Sequence, residues 1–135
     1  MDIQAYTQRA RSVIQAAQTE AVTRDHQQLV PAHILQGLLQ ENGGLPRNLV
    51  QMSGASPQAI ETAVKQCLNK LPRVEGGSGL TLSKASSKVF AVAEKTAKES
   101  GDAFVTLERL LLATIRKPIK TYESPSPKLA LMPNG

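Results

Sequence analysis

Apolar residues recur along this chain at steps of three and four, and the arrangement returns 76 residues later without a gap. Tyr6, Ala10, Val13, Ile14, Ala17 and Ala21 share one face of a helix expected from about Gln4 to Thr23. Val89, Phe90, Ala93 and Ala97 repeat that stripe on a helix which Ser83 caps and Gly101 ends. A second helix opens with Pro31, where the missing N–H costs nothing, and carries Ile34, Leu35, Leu38 and Leu39 as far as Asn42-Gly43-Gly44. Its counterpart, capped by Thr106, carries Leu110, Leu111, Leu112 and Ile115 until Pro118 ends the pattern. Between the copies lie a short helix from about Pro46 to Ser53 and a fourth opened by Ser56-Pro57. The fourth has Ile60, Val64, Cys67, Leu68 and Leu71 on its inner stripe.

Few positions are identical between the copies; the apolar class at matched helical positions is what persists. A duplicated helical unit packs on its own copy, because one copy cannot bury its apolar face alone. The expected fold is therefore all-α: a pseudo-two-fold duplicated helical repeat with six helices and a natural cleft between its halves. The divisions expected are a first repeat over 1–71, a linker over 72–80 and an incomplete second repeat over 81–117. Residues 118–135 form a Pro-rich tail that reads as extended or disordered.

Composition sharpens this picture. Aromatics at 3% against 41% hydrophobic residues make the core aliphatic and alanine-rich, which suits close-packed helices. The single Cys67 precludes an internal disulfide and fits a reducing compartment. No apolar run approaches the roughly 20 residues of a membrane span, and the N-terminus lacks a basic-then-apolar signal. A cytoplasmic protein without a membrane partner is expected. The net charge is +5, but Arg116, Lys117, Lys120 and Lys128 against Glu123 alone put three of those charges in the stretch from Arg116 to Gly135. The rest is nearly balanced, so no basic stripe argues for nucleic acid.

Enzyme chemistry finds no foothold. His26 and His33 lie seven apart without a second cysteine, so metal-ligand spacing is absent, and His33 reads as structural. Cys67 reads as a buried small apolar residue rather than a nucleophile. Gly76-Gly77-Ser78-Gly79 lacks the Gly-Lys-Ser/Thr of a phosphate loop and reads as linker. No cofactor is expected in this chain.

Three segments resemble the N-terminal Clp repeat domain, most closely that of ClpB-type disaggregases. They are Leu29-Val30-Pro31-Ala32-His33-Ile34-Leu35, Lys70-Leu71-Pro72-Arg73-Val74-Glu75-Gly76-Gly77, and the run from Gly101 to Ala113. The resemblance implies a non-catalytic domain that captures unfolded or aggregated polypeptide weakly in an apolar groove. It would hand that polypeptide to the hexameric ATPase modules of a longer chaperone, where ATP would act. Thr7, Asp102 and Glu108 match positions implicated in substrate handling, and Phe90 and Val92 match groove-lining ones. Arg109 departs from the apolar residue common there.

Each of these residues also has a plainer reading. Thr7 serves equally as a helix cap, Asp102 as a turn residue and Glu108 as a partner of the helix dipole. Phe90 fits a core better than a groove, so Val92 is the better exposed contact. A second functional reading is a stand-alone adaptor that docks on a Clp ATPase or protease. A nucleic-acid-reading helix over 106–117 is disfavoured, because leucines fill most of its faces.

Overall fold

The computed structural model describes residues 2–75 and 79–116. The expected tail and the middle of the linker lie outside that span. The described residues form six α-helices, two short strands and one 3-10 turn, Ile3–Ala5. The helices are α1 (Gln8–Thr23), α2 (Pro31–Leu39), α3 (Leu45–Met52), α4 (Pro57–Asn69), α5 (Lys84–Glu99) and α6 (Leu107–Arg116). The duplication is visible in the bounds, since both ends of α5 lie 76 residues beyond those of α1.

Helix α2 is the centre. All nine of its residues are buried, and it packs against α1, α3, α4, α5 and α6. A helix buried on every face, two of its nine residues the polar His33 and Gln36, is stable only when other elements wrap it on all sides. The wrapping is close at Gly37, where an added Cβ would sit 3.0 Å from the Val13 carbonyl oxygen on α1.

The first helix begins later than its periodicity suggests. Asp2 accepts the Gln4 N–H at 3.0 Å and stabilises the 3-10 turn, after which Tyr6 adopts an extended conformation. The Thr7 hydroxyl then accepts the Ala10 N–H at 3.2 Å and starts α1 at Gln8. A cap of this kind contributes about 1 kcal/mol. Ser83 does the same for α5, accepting the Ser86 N–H at 3.0 Å.

The strands are too short for period-2 alternation to reveal. Strand β1 (Gln28–Leu29) pairs in parallel with β2 (Thr81–Leu82), placing Leu29 opposite Leu82. Its two-fold image is an isolated parallel bridge between Tyr6 and Val105. Thr7 N–H donates to the Val105 carbonyl at 3.0 Å and Ser83 N–H to the Leu29 carbonyl at 3.1 Å. The buried Ser86 hydroxyl adds a 2.7 Å bond to Leu29. Each copy thus supplies the extended residue that the other pairs with, so the halves are exchanged at their edges as well as packed.

Candidate functional site

An open cleft of about 480 Å³ lies where the N-terminal turn meets the end of α5 and the α5–α6 connection. Gly101 produces that connection. Its left-handed conformation (φ 78°) turns the chain out of α5, a geometry that side-chain-bearing residues adopt reluctantly. Phe104 follows, 49% exposed, on the cleft wall beside Ala103 and Val105. Asp2, Glu94, Lys98 and Asp102 give the same cleft a charged rim. The combination is a small apolar patch bordered by both signs of charge.

Of the five residues singled out in the sequence, Asp102 alone lines this cleft. Its carboxylate is held by Arg109 Nε at 3.0 Å, so the unexpected Arg109 positions Asp102. Thr7 lies behind the wall as a helix cap, tied to Val105 through its backbone. Phe90 does not face an open groove. It is 2% exposed, and its ring meets that of Tyr6 edge-to-face at 6.1 Å. The reason is its place on the inner stripe of α5, where an aromatic ring contributes more by burial than by exposure. Val92 is half-buried against the core, and Glu108 is exposed in the first turn of α6; neither lines the cleft.

Tyr6 connects the core to this surface. It is fully buried as a residue, yet its hydroxyl donates to Glu94 Oε2 at 2.6 Å. Burial first, and then the adjacent Glu94 carboxylate, push its phenol well above the usual range, so it remains a neutral donor. Sequence reasoning missed Glu94 and Phe104. The signal for Phe104 was available, because Gln28 occupies the matching position of the first copy.

The Asp102–Arg109 pair has a counterpart of different chemistry. The equivalent positions in the first copy are His26 and His33, whose rings meet with Nδ1 of His26 2.8 Å from Nε2 of His33. Asp25, in the left-handed region (φ 61°), turns the chain out of α1 immediately before His26. Val30 N–H donates to His33 Nδ1 at 2.9 Å, so the proton of neutral His33 sits on Nε2 and is donated to His26. Burial holds both imidazoles below the usual value, His33 at about 4. Among the described residues, no group of three or more His, Cys, Asp or Glu side chains could hold a metal ion. Cys67 is half-buried, and burial raises its thiol pKa. No described helix is long and apolar enough to cross a membrane.

Comparison with known proteins agrees with this architecture. Chaperone protein ClpB of Mesorhizobium japonicum is 44% identical over 125 residues, covering 91% of this chain and 14% of the relative. ClpB of Rhizobium meliloti is also 44% identical, over 84% of this chain and 13% of the relative. The chain thus spans about one seventh of the length of these curated relatives. Among solved structures, the Hsp104 N-terminal domain from Candida albicans superposes with a TM-score of 0.78 at 23% identity, covering 89% of this chain and 80% of that one. The N-terminal domain of the ClpV1 ATPase from E. coli gives 0.77 at 21% identity, covering 87% and 71%. The family model for the Clp repeat (R) N-terminal domain matches residues 5–122, and the chain belongs to that family.

Proposed function

We propose that this chain is the client-capture domain of a ClpB-like ATP-dependent disaggregase. In this reading it holds unfolded polypeptide weakly in the cleft bordered by Phe104 and Asp102, while ATP acts on modules elsewhere in the parent protein. The observation that carries it is the half-exposed Phe104 on a concave wall with charges at its edge. An exposed apolar patch with adaptable polar borders suits partners of many sequences. The domain divides into repeats at 1–71 and 81–117 around the linker, and the cleft is walled mainly by the second repeat, with Asp2 and Ala5 of the first at its edge. Asp102 and Phe104 touch the client; Thr7 and Phe90 hold the cleft wall in place from behind. Glu108, exposed next to Arg109, adds negative charge that speeds encounter with basic flanks more than it tightens binding. Val92 contributes packing against the core.

The 44% identity to chaperones named ClpB supports the parent's nature. Fluorescence anisotropy with a labelled, reduced and alkylated α-lactalbumin tests the reading. Phe104→Ser weakens binding about tenfold, equivalent to about 1.4 kcal/mol, with little change in thermal stability because the ring is already half in water. Equal affinities for the two proteins contradict it.

A further inference from the structure

The first copy has the same cleft, and part of the chain already sits in it. Two adjoining hollows of about 370 and 190 Å³ flank Val74, beside His26 and Gln27. Val22, His26, Gln27, Gln28 and Thr81 line them, and the 76-residue relation maps these onto Lys98, Asp102, Ala103, Phe104 and Ala5. All five of those line the open cleft. The two clefts are therefore images of one another under the internal two-fold.

Their floors agree in detail. Asp25 N–H donates to Val22 O, and Gly101 N–H to Lys98 O, both at 3.0 Å. His26 N–H donates to Ala21 O, and Asp102 N–H to Ala97 O, both at 2.9 Å. Asp25 and Gly101 share the left-handed conformation, so their carbonyls leave the helix ends in the same direction. In the first cleft, Val74 N–H donates to the Asp25 carbonyl at 2.9 Å. The Arg73 guanidinium lies 3.9 Å from the Asp25 carboxylate, and Val74, 40% exposed, lines both hollows. In the second cleft, among the described residues, the Gly101 carbonyl accepts no hydrogen bond. Phe104 and Ala103 there replace Gln28 and Gln27, so the wall is more apolar than the one the linker occupies.

We infer that the second cleft holds an extended stretch of client polypeptide as the first holds Arg73-Val74. An aliphatic side chain lies beside Phe104, and the main-chain N–H of that residue is donated to the Gly101 carbonyl. The inference rests on the capture reading above and names how the client is held. A free main-chain N–H is present in any extended segment but is already engaged within a helix, except in its first turn. The contact therefore selects unfolded chain without selecting sequence, and only proline is refused at that position.

The probe is the linker's own hexapeptide, Lys-Leu-Pro-Arg-Val-Glu with blocked ends, titrated to millimolar concentration into the 15N-labelled 135-residue chain. A second peptide carries an N-methyl group on the valine, and unfolded α-lactalbumin is titrated in parallel. The expected result is amide shifts at Gly101, Asp102 and Phe104 with the first peptide, reduced at least fivefold in affinity by N-methylation. No shifts there, as when another segment of the chain already fills the cleft, overturn the inference. So do shifts confined to Gln27 and Thr81, or equal binding of the N-methyl peptide. If α-lactalbumin shifts the cleft amides while the peptides fail this test, the holding mode is wrong and capture stands. If α-lactalbumin also leaves them unmoved, the capture reading falls with it.

Discussion

Acidification separates the two copies. His33 is fully buried, and its proton is committed to His26 by the Val30 N–H on its other nitrogen. Protonating either ring sets two donors against each other across the 2.8 Å contact, or against Val30. At His26 burial is the largest cause and Arg24 and Arg73 act with it against the added charge, while Glu20 and Asp25 favour that charge less strongly. The unfolded chain takes up the proton near pH 6.5 and the folded chain only near 4 for His33. The stability from this group is therefore complete above about pH 6.5 and declines as the pH falls toward 4. At about 1.4 kcal/mol per pH unit, the fall from 6.5 to 5 removes about 2 kcal/mol, with His26 adding in the same direction. For a domain of this size that lowers Tm by roughly 10 °C. Thermal melts at pH 7 and 5, with His Cε1–H titration by NMR, read both halves of the reasoning. A Tm unchanged between those pH values, or His33 protonating near 6.5, refutes it.

Two substitutions test the packing and the cap. Gly37→Leu forces a side chain into the 3.0 Å approach to Val13, and overpacking of this kind costs about 1–3 kcal/mol in urea unfolding. Loss of the helix-lowering glycine recovers less than 1 kcal/mol of that, and an unchanged midpoint contradicts the close α1–α2 contact. Thr7→Ala removes the hydroxyl that accepts Ala10 N–H and lowers stability by about 1 kcal/mol. Its α-lactalbumin affinity stays near wild type at temperatures where the domain is folded. A large affinity loss with stability intact gives Thr7 a direct client contact instead.

The fold was legible because helical burial writes itself as a period. The stripes of α1, α2, α4 and α5 stand where the sequence places them, as do the hydroxyls of Thr7, Ser56 and Ser83 that cap α1, α4 and α5. The extended pairs were not legible, since two residues cannot show an alternation and Tyr6 also fits the helical stripe. Asp102 was singled out by the resemblance, with a turn role as its plainer reading, and it lines the cleft. Spacing placed Phe90 on the inner stripe, where it is buried, and set Val92 off that stripe, but could not show that Val92 still packs against the core. The His26–His33 contact follows a left-handed Asp25, a backbone choice that the side-chain pattern does not encode.

The most direct test of the cleft is amide shift mapping of the labelled chain against the same unfolded α-lactalbumin at increasing concentration. Shifts that begin and saturate at Glu94, Lys98 and Asp102 through Val105, with α4 quiet, are the predicted result. Saturable binding that leaves those amides unmoved and shifts another face contradicts it.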